Sequence, residues 1–343
     1  MDLDKTSDIQ NIRIQDDRRF FSATHEELIA GATTDIYFLR TRDILRSMGL
    51  LDSVVTADVF SRRGGLFCGS KEIYGLLRDK DIKVKSLPEG EFAAPGETVM
   101  QISGRYGEFG LFETVLLGMA SSSTGWATAA KECKDAAGDA PVVCFGARHI
   151  HPAVAPVMER AALIGGADGC SCILGALLAG RIPSGTVPHA AILIAGDTVK
   201  VAEAFDEVVE ADVARILLVD TFRDEAEEAL RVANALKEKL SAVRLDTPPE
   251  RGGVTPHLVH EIKSRLKIEG FGNVKVVVSG GVNPERIKML KEAGADVFGV
   301  GSYISCAQPV EMTMDIKELN GKAIAKRGRI PGPAGNHRLV DLI

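Results

Sequence analysis

Apolar runs that stop on small or polar residues punctuate the second half of the chain. From residue 141 they read, in order, VVCFGARH, GGADG, GTVPHAAILIAGD, RILLVDTF, AVRLDTP, VVVSGG and VFGVGS. Helical segments lie between several of them. Residues 224–240, DEAEEALRVANALKEKL, set Leu230, Ala233 and Leu240 near one face and charges on the other. At 283–294, Asn283 suits the N-cap, Pro284 the first helical position and Gly294 the residue past the end, with Ile287, Leu290 and Ala293 on one face. Strand–helix–strand units of this kind have parallel strands and right-handed connections. The pattern predicts a parallel barrel, irregular or incomplete. An open doubly wound sheet is the alternative, and no G-x-G-x-x-G after a first strand supports it.

The first half is built differently. Thr24-His25-Glu26-Glu27 is a capping-box pattern, and Gly31 can end that helix. A second helix starts near Thr33 or Thr34, with Ile44, Leu45 and Met48 on its buried side, and VVTADVF (54–60) reads as a strand. In LPEGEFAAPGETVMQISG (87–104) short apolar pieces sit between turn residues, and 111–130 reads as a largely buried helix. Asn320-Gly321 in the tail predicts a hairpin that returns to the N-terminal region. The fold class is therefore α/β. An irregular (β/α) barrel over 116–310 stands with a smaller N-terminal α/β sandwich domain over 1–115, completed by 311–343.

Composition narrows the partners. The chain has 343 residues, 45% of them hydrophobic, enough for one large core and a smaller one. Its net charge is −6, and no basic run interleaved with aromatics appears, so nucleic acid is not an expected partner. No apolar run is long enough to span a membrane, and the first twenty residues lack the apolar stretch of a signal peptide, so a cytoplasmic chain is expected. Six scattered cysteines (68, 133, 144, 170, 172 and 306) read as small buried thiols in a reducing compartment. A metal role for the Cys170/Cys172 pair is the alternative.

A parallel barrel does its chemistry at the carboxyl ends of its strands. The residues placed there are Phe145, Arg148, Asp168, Thr186, His189, Asp220, Arg244, Asp246, Ser279, Gly280, Gly281, Gly299, Gly301 and Ser302. Glycine lets main-chain N–H groups approach an anion, though tight βα turns also call for it. Arg148 and Arg244 suit bidentate anion recognition, and Asp220 and Asp246 suit a ribose hydroxyl or Mg²⁺. The bland alternative is that these arginines and aspartates pair with each other and lock loops. Phe145 offers either a face for a ring or plain core. His149, His151 and His189 are each a ligand or a base; without a third ligand, His149 and His151 read as loop residues.

Taken in order, FGARHIHP (145–152), IGGADGCSCILGA (164–176), IPSGTVPHA (182–190), VDTFRDE (219–225), VRLDTPPERGG (243–253) and VVVSGG…GVGS resemble the nicotinate phosphoribosyltransferase family, with its spacing. The likeness is to its short archaeal-type members. TTDIYFLR (33–40) matches the family's Asp-x-Tyr motif, and 87–104 resembles the hairpin-rich N-terminal domain of type II phosphoribosyltransferases.

This resemblance implies an enzyme that joins nicotinate to the phosphoribosyl group of phosphoribosyl pyrophosphate (PRPP), in NAD biosynthesis or salvage. It implies that Ser279, Gly280, Gly281, Gly299, Gly301 and Ser302 hold the 5-phosphate, while Arg244 and Asp246 meet the ribose and pyrophosphate. Asp220 lies at another such strand end. Phe145 would stack on the pyridine, Arg148 would lie near its carboxylate with Thr186 close by, and Tyr37 would come from a neighbouring subunit of at least a dimer. Mg²⁺ would accompany PRPP, held through Asp220 or Asp246. His189 matches the histidine phosphorylated when ATP drives the reaction. No cysteine-rich C-terminal module is present, so no structural zinc is expected. Asp168 resembles the aspartate by which nicotinamide-using relatives accept an amide N–H, which leaves amide specificity open. Quinolinate phosphoribosyltransferase is a near alternative with the same fold, but the chain has one arginine at FGAR and no TRKT-type strand. A Schiff-base lyase would want a strand-end lysine, and a biotinyl or lipoyl carrier a lysine at the hairpin tip. The chain has neither. A non-catalytic nucleotide binder is the most distant reading.

Overall fold

The computed structural model describes residues 3–14 and 16–343, which divide into two compact units. The first comprises the described residues up to Thr128 together with Gln308–Ile343; the second is Ala129–Ala307. The sequence pattern had suggested a boundary at 115/116. The units instead divide within the helix Glu113–Ala137, where no glycine, proline or cap interrupts the backbone at the division.

The strands of the first unit begin with β1 (Val54–Ser61), β2 (Gly65–Leu66), β3 (Ile82–Ser86), β4 (Phe92–Ala93) and β5 (Thr98–Arg105). The second unit holds β6 (Val142–Cys144), β7 (Gly169–Cys170), β8 (Arg215–Leu218), β9 (Leu240–Leu245), β10 (Lys275–Val278) and β11 (Val297–Val300). The chain then returns to the first unit as β12 (Met312–Leu319), β13 (Lys322–Ala323) and β14 (Val340–Asp341).

In the first unit a six-stranded antiparallel sheet runs β13-β12-β1-β5-β3-β14, and β2 pairs with β4. Alternation in β1 sends Val55, Ala57 and Val59 into the core with Ile73, Leu77, Ile102 and Leu116. Its other face buries Asp58, whose carboxylate accepts Gln101 Nε2 at 2.9 Å and Ala334 N at 2.7 Å, so the tail is tied to this strand. In the 87–104 segment β4 joins β2 and β5 lies between β1 and β3, with Leu87 N donating to Val99 O at 2.7 Å where the chain turns back. Asn320 and Gly321 have φ of 49 and 79°, the two successive left-handed residues of the tight turn that joins β12 to β13. The helix His25–Ile29 carries the expected capping box. The next helix, Ile36–Ser47, starts later than expected and buries Phe38 and Leu39, while Ile44 and Met48 are exposed.

In the second unit six parallel strands run β7-β6-β11-β10-β9-β8, curled as a partial barrel with β7 and β8 as unpaired edges. Around a closed barrel a further strand would bridge β7 and β8. The run GTVPHAAILIAGD, expected as that strand, is instead a loop and the helix His189–Ala195. An apolar run this short does not distinguish strand from helix by its periodicity. The helix after β8 is Glu225–Leu236, shorter than 224–240 because Leu240 already opens β9. Its buried face is Ala226, Ala229, Val232, Ala233 and Leu236, with Leu230 at the margin. Asn283 accepts from Arg286 N and caps Pro284–Glu292, as its position predicts.

Candidate active site

A cavity of about 450 Å³ opens at the carboxyl ends of the second unit's strands. Eleven of the expected residues line it: Phe145, Arg148, Thr186, Arg244, Asp246, Ser279, Gly280, Gly281, Gly299, Gly301 and Ser302. Strand geometry brings them together. Residues of β9, β10, β11 and β6 are laterally paired in that order, so the residues that follow each strand share one rim.

Arg244, in β9, organises this rim. Its Nε donates to Ser279 Oγ at 2.9 Å, Nη1 to Thr186 Oγ1 at 2.8 Å and Nη2 to Asp246 Oδ2 at 3.1 Å. The guanidinium carbon lies 5.0 Å from the Phe145 ring centroid. Ser279 Oγ stands 2.9 Å from Asp246 Oδ1, to which it donates. Burial pulls the Arg244 pKa below the usual guanidinium value, and the Asp246 and Asp220 charges oppose that pull. The three partners, two hydroxyls and a carboxylate, each meet a different guanidinium nitrogen, a spread that the fork of an arginine spans and a lysine ammonium does not.

Glycine is required at several rim positions. A Cβ on Gly299 would stand 2.4 Å from Phe145 Cε2, and one on Gly301 2.8 Å from His149 Cε1. Gly280 and Gly281 have φ of +82 and +62°. The amides of Phe145 and Ser279 are used between strands, donating to Val300 O at 2.8 Å and Leu245 O at 2.9 Å. Those of Gly280, Gly281, Gly301 and Ser302 find no backbone or side-chain acceptor among the described residues. Four unclaimed donors at the ends of neighbouring strands make an anion cradle.

Beside this rim, His189 Nε2 lies 3.1 Å from Asp220 Oδ2, the Asp220 side chain being 2% exposed. Burial raises the Asp220 pKa, and the neighbouring His189 pulls it back. Asp220 Oδ1 has no hydrogen-bond partner. Tyr37 belongs to the first unit, where it is 54% exposed on Ile36–Ser47.

Asp168 is the correction. It precedes β7 rather than following it. Its carboxylate accepts Val142 N and Lys134 Nζ, each at 2.8 Å, at the amino end of β6. The residue is therefore turned away from the rim and staples two strand beginnings. Lys263, Asp296 and Val276 N repeat the device between β10 and β11.

The cavity also gathers His149, Ser171, Gly185 and Pro188, which sequence reasoning did not assign to it. A larger cavity, about 740 Å³, lies in the first unit among residues 12–33. Its Arg18 is already paired with Glu27, and it holds none of the strand-end residues. No group of three or more His, Cys, Asp or Glu among the described residues is placed to hold a metal, Cys170 and Cys172 included. No described helix is long and apolar enough to cross a membrane.

Known proteins share both units. Residues 35–124 match the family model of the quinolinate phosphoribosyl transferase N-terminal domain, and 126–315 that of its C-terminal domain. A crystal structure of nicotinate-nucleotide pyrophosphorylase from Pyrococcus furiosus superposes with a TM-score of 0.89 at 47% identity, covering 92% of this chain and 82% of that one. Nicotinate phosphoribosyltransferase pncB1 of Mycobacterium tuberculosis (strain ATCC 25618 / H37Rv) is 30% identical over 73% of this chain, which spans 56% of that relative's length. A crystal structure of human nicotinic acid phosphoribosyltransferase, at 19% identity and a TM-score of 0.69 over 88% of this chain and 77% of that one, shares the fold. The partial barrel and its antiparallel companion thus place the chain among the type II phosphoribosyltransferase family of folds. Within that class the chain belongs to the quinolinate phosphoribosyl transferase family.

Proposed function

We propose that the chain transfers the phosphoribosyl group of PRPP to nicotinate, giving nicotinate mononucleotide and pyrophosphate. The pyridine nitrogen bonds to the anomeric carbon as the bond from that carbon to the pyrophosphate oxygen breaks, the electron pair leaving with pyrophosphate. The protein supplies no nucleophile; positioning and charge stabilisation do the work. The observation that carries this reading is the set of unclaimed amides at Gly280, Gly281, Gly301 and Ser302, in the cavity that Arg244, Asp246 and Phe145 also line. They would take the 5-phosphate, the ribose with its pyrophosphate, and the pyridine respectively.

Two features favour nicotinate among pyridines. Arg148 lines the cavity, is exposed and makes no ion pair with a described residue, whereas Arg244 is committed to three acceptors. One free guanidinium matches one ring carboxylate; quinolinate has two, and no lysine lines the cavity. Asp168, turned away, presents no acceptor to an amide N–H. The quinolinate reading is supported by the family's description and by a Methanothermobacter thermautotrophicus relative, 23% identical over 77% of this chain, named as a probable carboxylating nicotinate-nucleotide pyrophosphorylase.

Mg²⁺ arriving on PRPP would neutralise pyrophosphate charge, and the unpartnered Asp220 Oδ1, with Asp246, would hold it. ATP coupling would run through His189, which Asp220 orients through Nε2. Tyr37 of a second copy would cover the free face of the pyridine in a homodimer, its exposed ring being available for that contact.

The test incubates the chain with Mg²⁺, PRPP and nicotinate, nicotinamide or quinolinate separately, with and without ATP. We expect nicotinate to lead by at least about tenfold in kcat/KM, about 1.4 kcal/mol. Preference for quinolinate with release of carbon dioxide overturns the substrate assignment. ATP stimulation that survives His189→Ala overturns the coupling role.

A further inference from the structure

Glu159 is a carboxylate with 0% exposure, and the reaction as described makes no use of it. It sits on the helix Ala155–Ile164, which follows β6. Oε1 accepts Ala147 N at 3.2 Å and Ser171 Oγ at 3.0 Å, and Oε2 accepts Cys172 N at 2.5 Å. These partners belong to two different loops, the one after β6 and the one after β7. Ala147 opens the short turn Ala147–His149 that presents Arg148 and His149 to the cavity, and Ser171 lines the same wall. Burial, followed by the Glu159 charge, pushes the Cys170 thiol up to about 12.

A buried carboxylate is costly unless its oxygens are bonded. Here the bonds go to the parts of the rim that carry Arg148 and Ser171. An apolar side chain here would leave the Ala147 and Cys172 amides and the Ser171 hydroxyl without this acceptor. We propose that Glu159 is a positioning residue for the base: by clamping the β6 and β7 loops together it sets Arg148 against the substrate carboxylate. The inference rests on the phosphoribosyl-transfer reading above. It also predicts a division of labour, because Arg244 lies in β9, the glycine rims end β10 and β11, and none of them receives a bond from Glu159.

Glu159→Gln is the direct test. The amide has one acceptor oxygen, so its NH₂ faces either the Cys172 N–H or the Ala147 N–H with Ser171 Oγ, and one of the two main-chain amides loses its acceptor, which weakens the clamp. Melting curves establish that the variant is folded. We expect KM for nicotinate to rise at least about tenfold and KM for PRPP to stay within about twofold, since small misplacements at a positioned group cost this much or more. A fall in kcat with both KM values unchanged, or no change at all, overturns the inference. Ser171→Ala serves if E159Q does not fold. It should raise the nicotinate KM in the same direction by about threefold, consistent with one lost hydrogen bond, and an unchanged KM overturns the proposal. Where both fold, the double variant should show less than the product of the single effects.

A wild type that turns over another pyridine but not nicotinate refutes the substrate assignment alone, and the KM comparison is then read with that base. If no base is turned over, amide hydrogen exchange decides: whichever of the Ala147 and Cys172 amides faces the NH₂ should exchange faster in E159Q than in the wild type, and equal exchange at both overturns the clamp.

Discussion

The Cδ2–Cε2 edge of Phe145 abuts the backbone of Gly299: a Cβ added there would stand 2.4 Å from Phe145 Cε2 and 2.6 Å from Cδ2. The ring has Arg244 5.0 Å from its centroid. Its position is thus set by a missing side chain at its edge and a cation over its face. Gly299→Ala should displace the ring and destabilise the unit by about 1–3 kcal/mol, the usual range for overpacking. Its nicotinate KM should rise, read by thermal melting and steady-state kinetics. Unchanged melting and KM would show that the ring is not seated as described.

Arg244 joins three acceptors on three segments of the rim. Arg244→Ala should lower kcat/KM for PRPP at least about a hundredfold, about 2.7 kcal/mol. Arg244→Lys keeps the charge but cannot span the same acceptors, and should recover only part of the loss. Full recovery by lysine would mean that charge alone is what matters.

The sequence made the strand-end set readable because its cues are local. Asn283 and Pro284 mark a helix start, Asn320-Gly321 marks a hairpin, and each rim glycine follows an apolar run. What depends on neighbours far along the chain was not readable. Helix His189–Ala195 resembled a strand because seven residues of mostly apolar character fit either period. Ile44 and Met48 were placed inside, although tertiary packing chose Phe38 and Leu39. Asp168 matched a family motif, yet β7 starts one residue later and its partners are a backbone amide and a lysine. Glu159 was not singled out, since its acceptance of two main-chain amides leaves no trace in residue type.

Asp168 should contribute stability and not specificity. Asp168→Asn weakens the contacts to Lys134 and Val142 N and should cost about 1 kcal/mol, given partial exposure of the pair. The ranking of nicotinate over nicotinamide should not move. A shift of preference toward nicotinate in D168N would return this carboxylate to the base site.

Glu113 gives the first unit a pH dependence. Burial, with the Asp315 charge, pushes its carboxyl from 4.5 up to about 7. Between those values the folded chain holds a proton that the unfolded chain has released. The contribution is therefore full below pH 4.5 and is lost as pH rises to about 7. Urea unfolding at about pH 5 and about pH 8 should show the wild type losing on the order of 1–2 kcal/mol more than Glu113→Gln, after allowance for screening at a half-buried site. Parallel losses in the two proteins would place the titration elsewhere.

The central claim is that main-chain amides at the ends of β10 and β11 grip the phosphate of a pyridine mononucleotide. A crystal structure with nicotinate mononucleotide bound tests it most directly. The account predicts phosphate oxygens within hydrogen-bonding distance of the Gly280, Gly281, Gly301 and Ser302 amides, with the pyridine against Phe145. A nucleotide bound with its phosphate away from both glycine rims would contradict it.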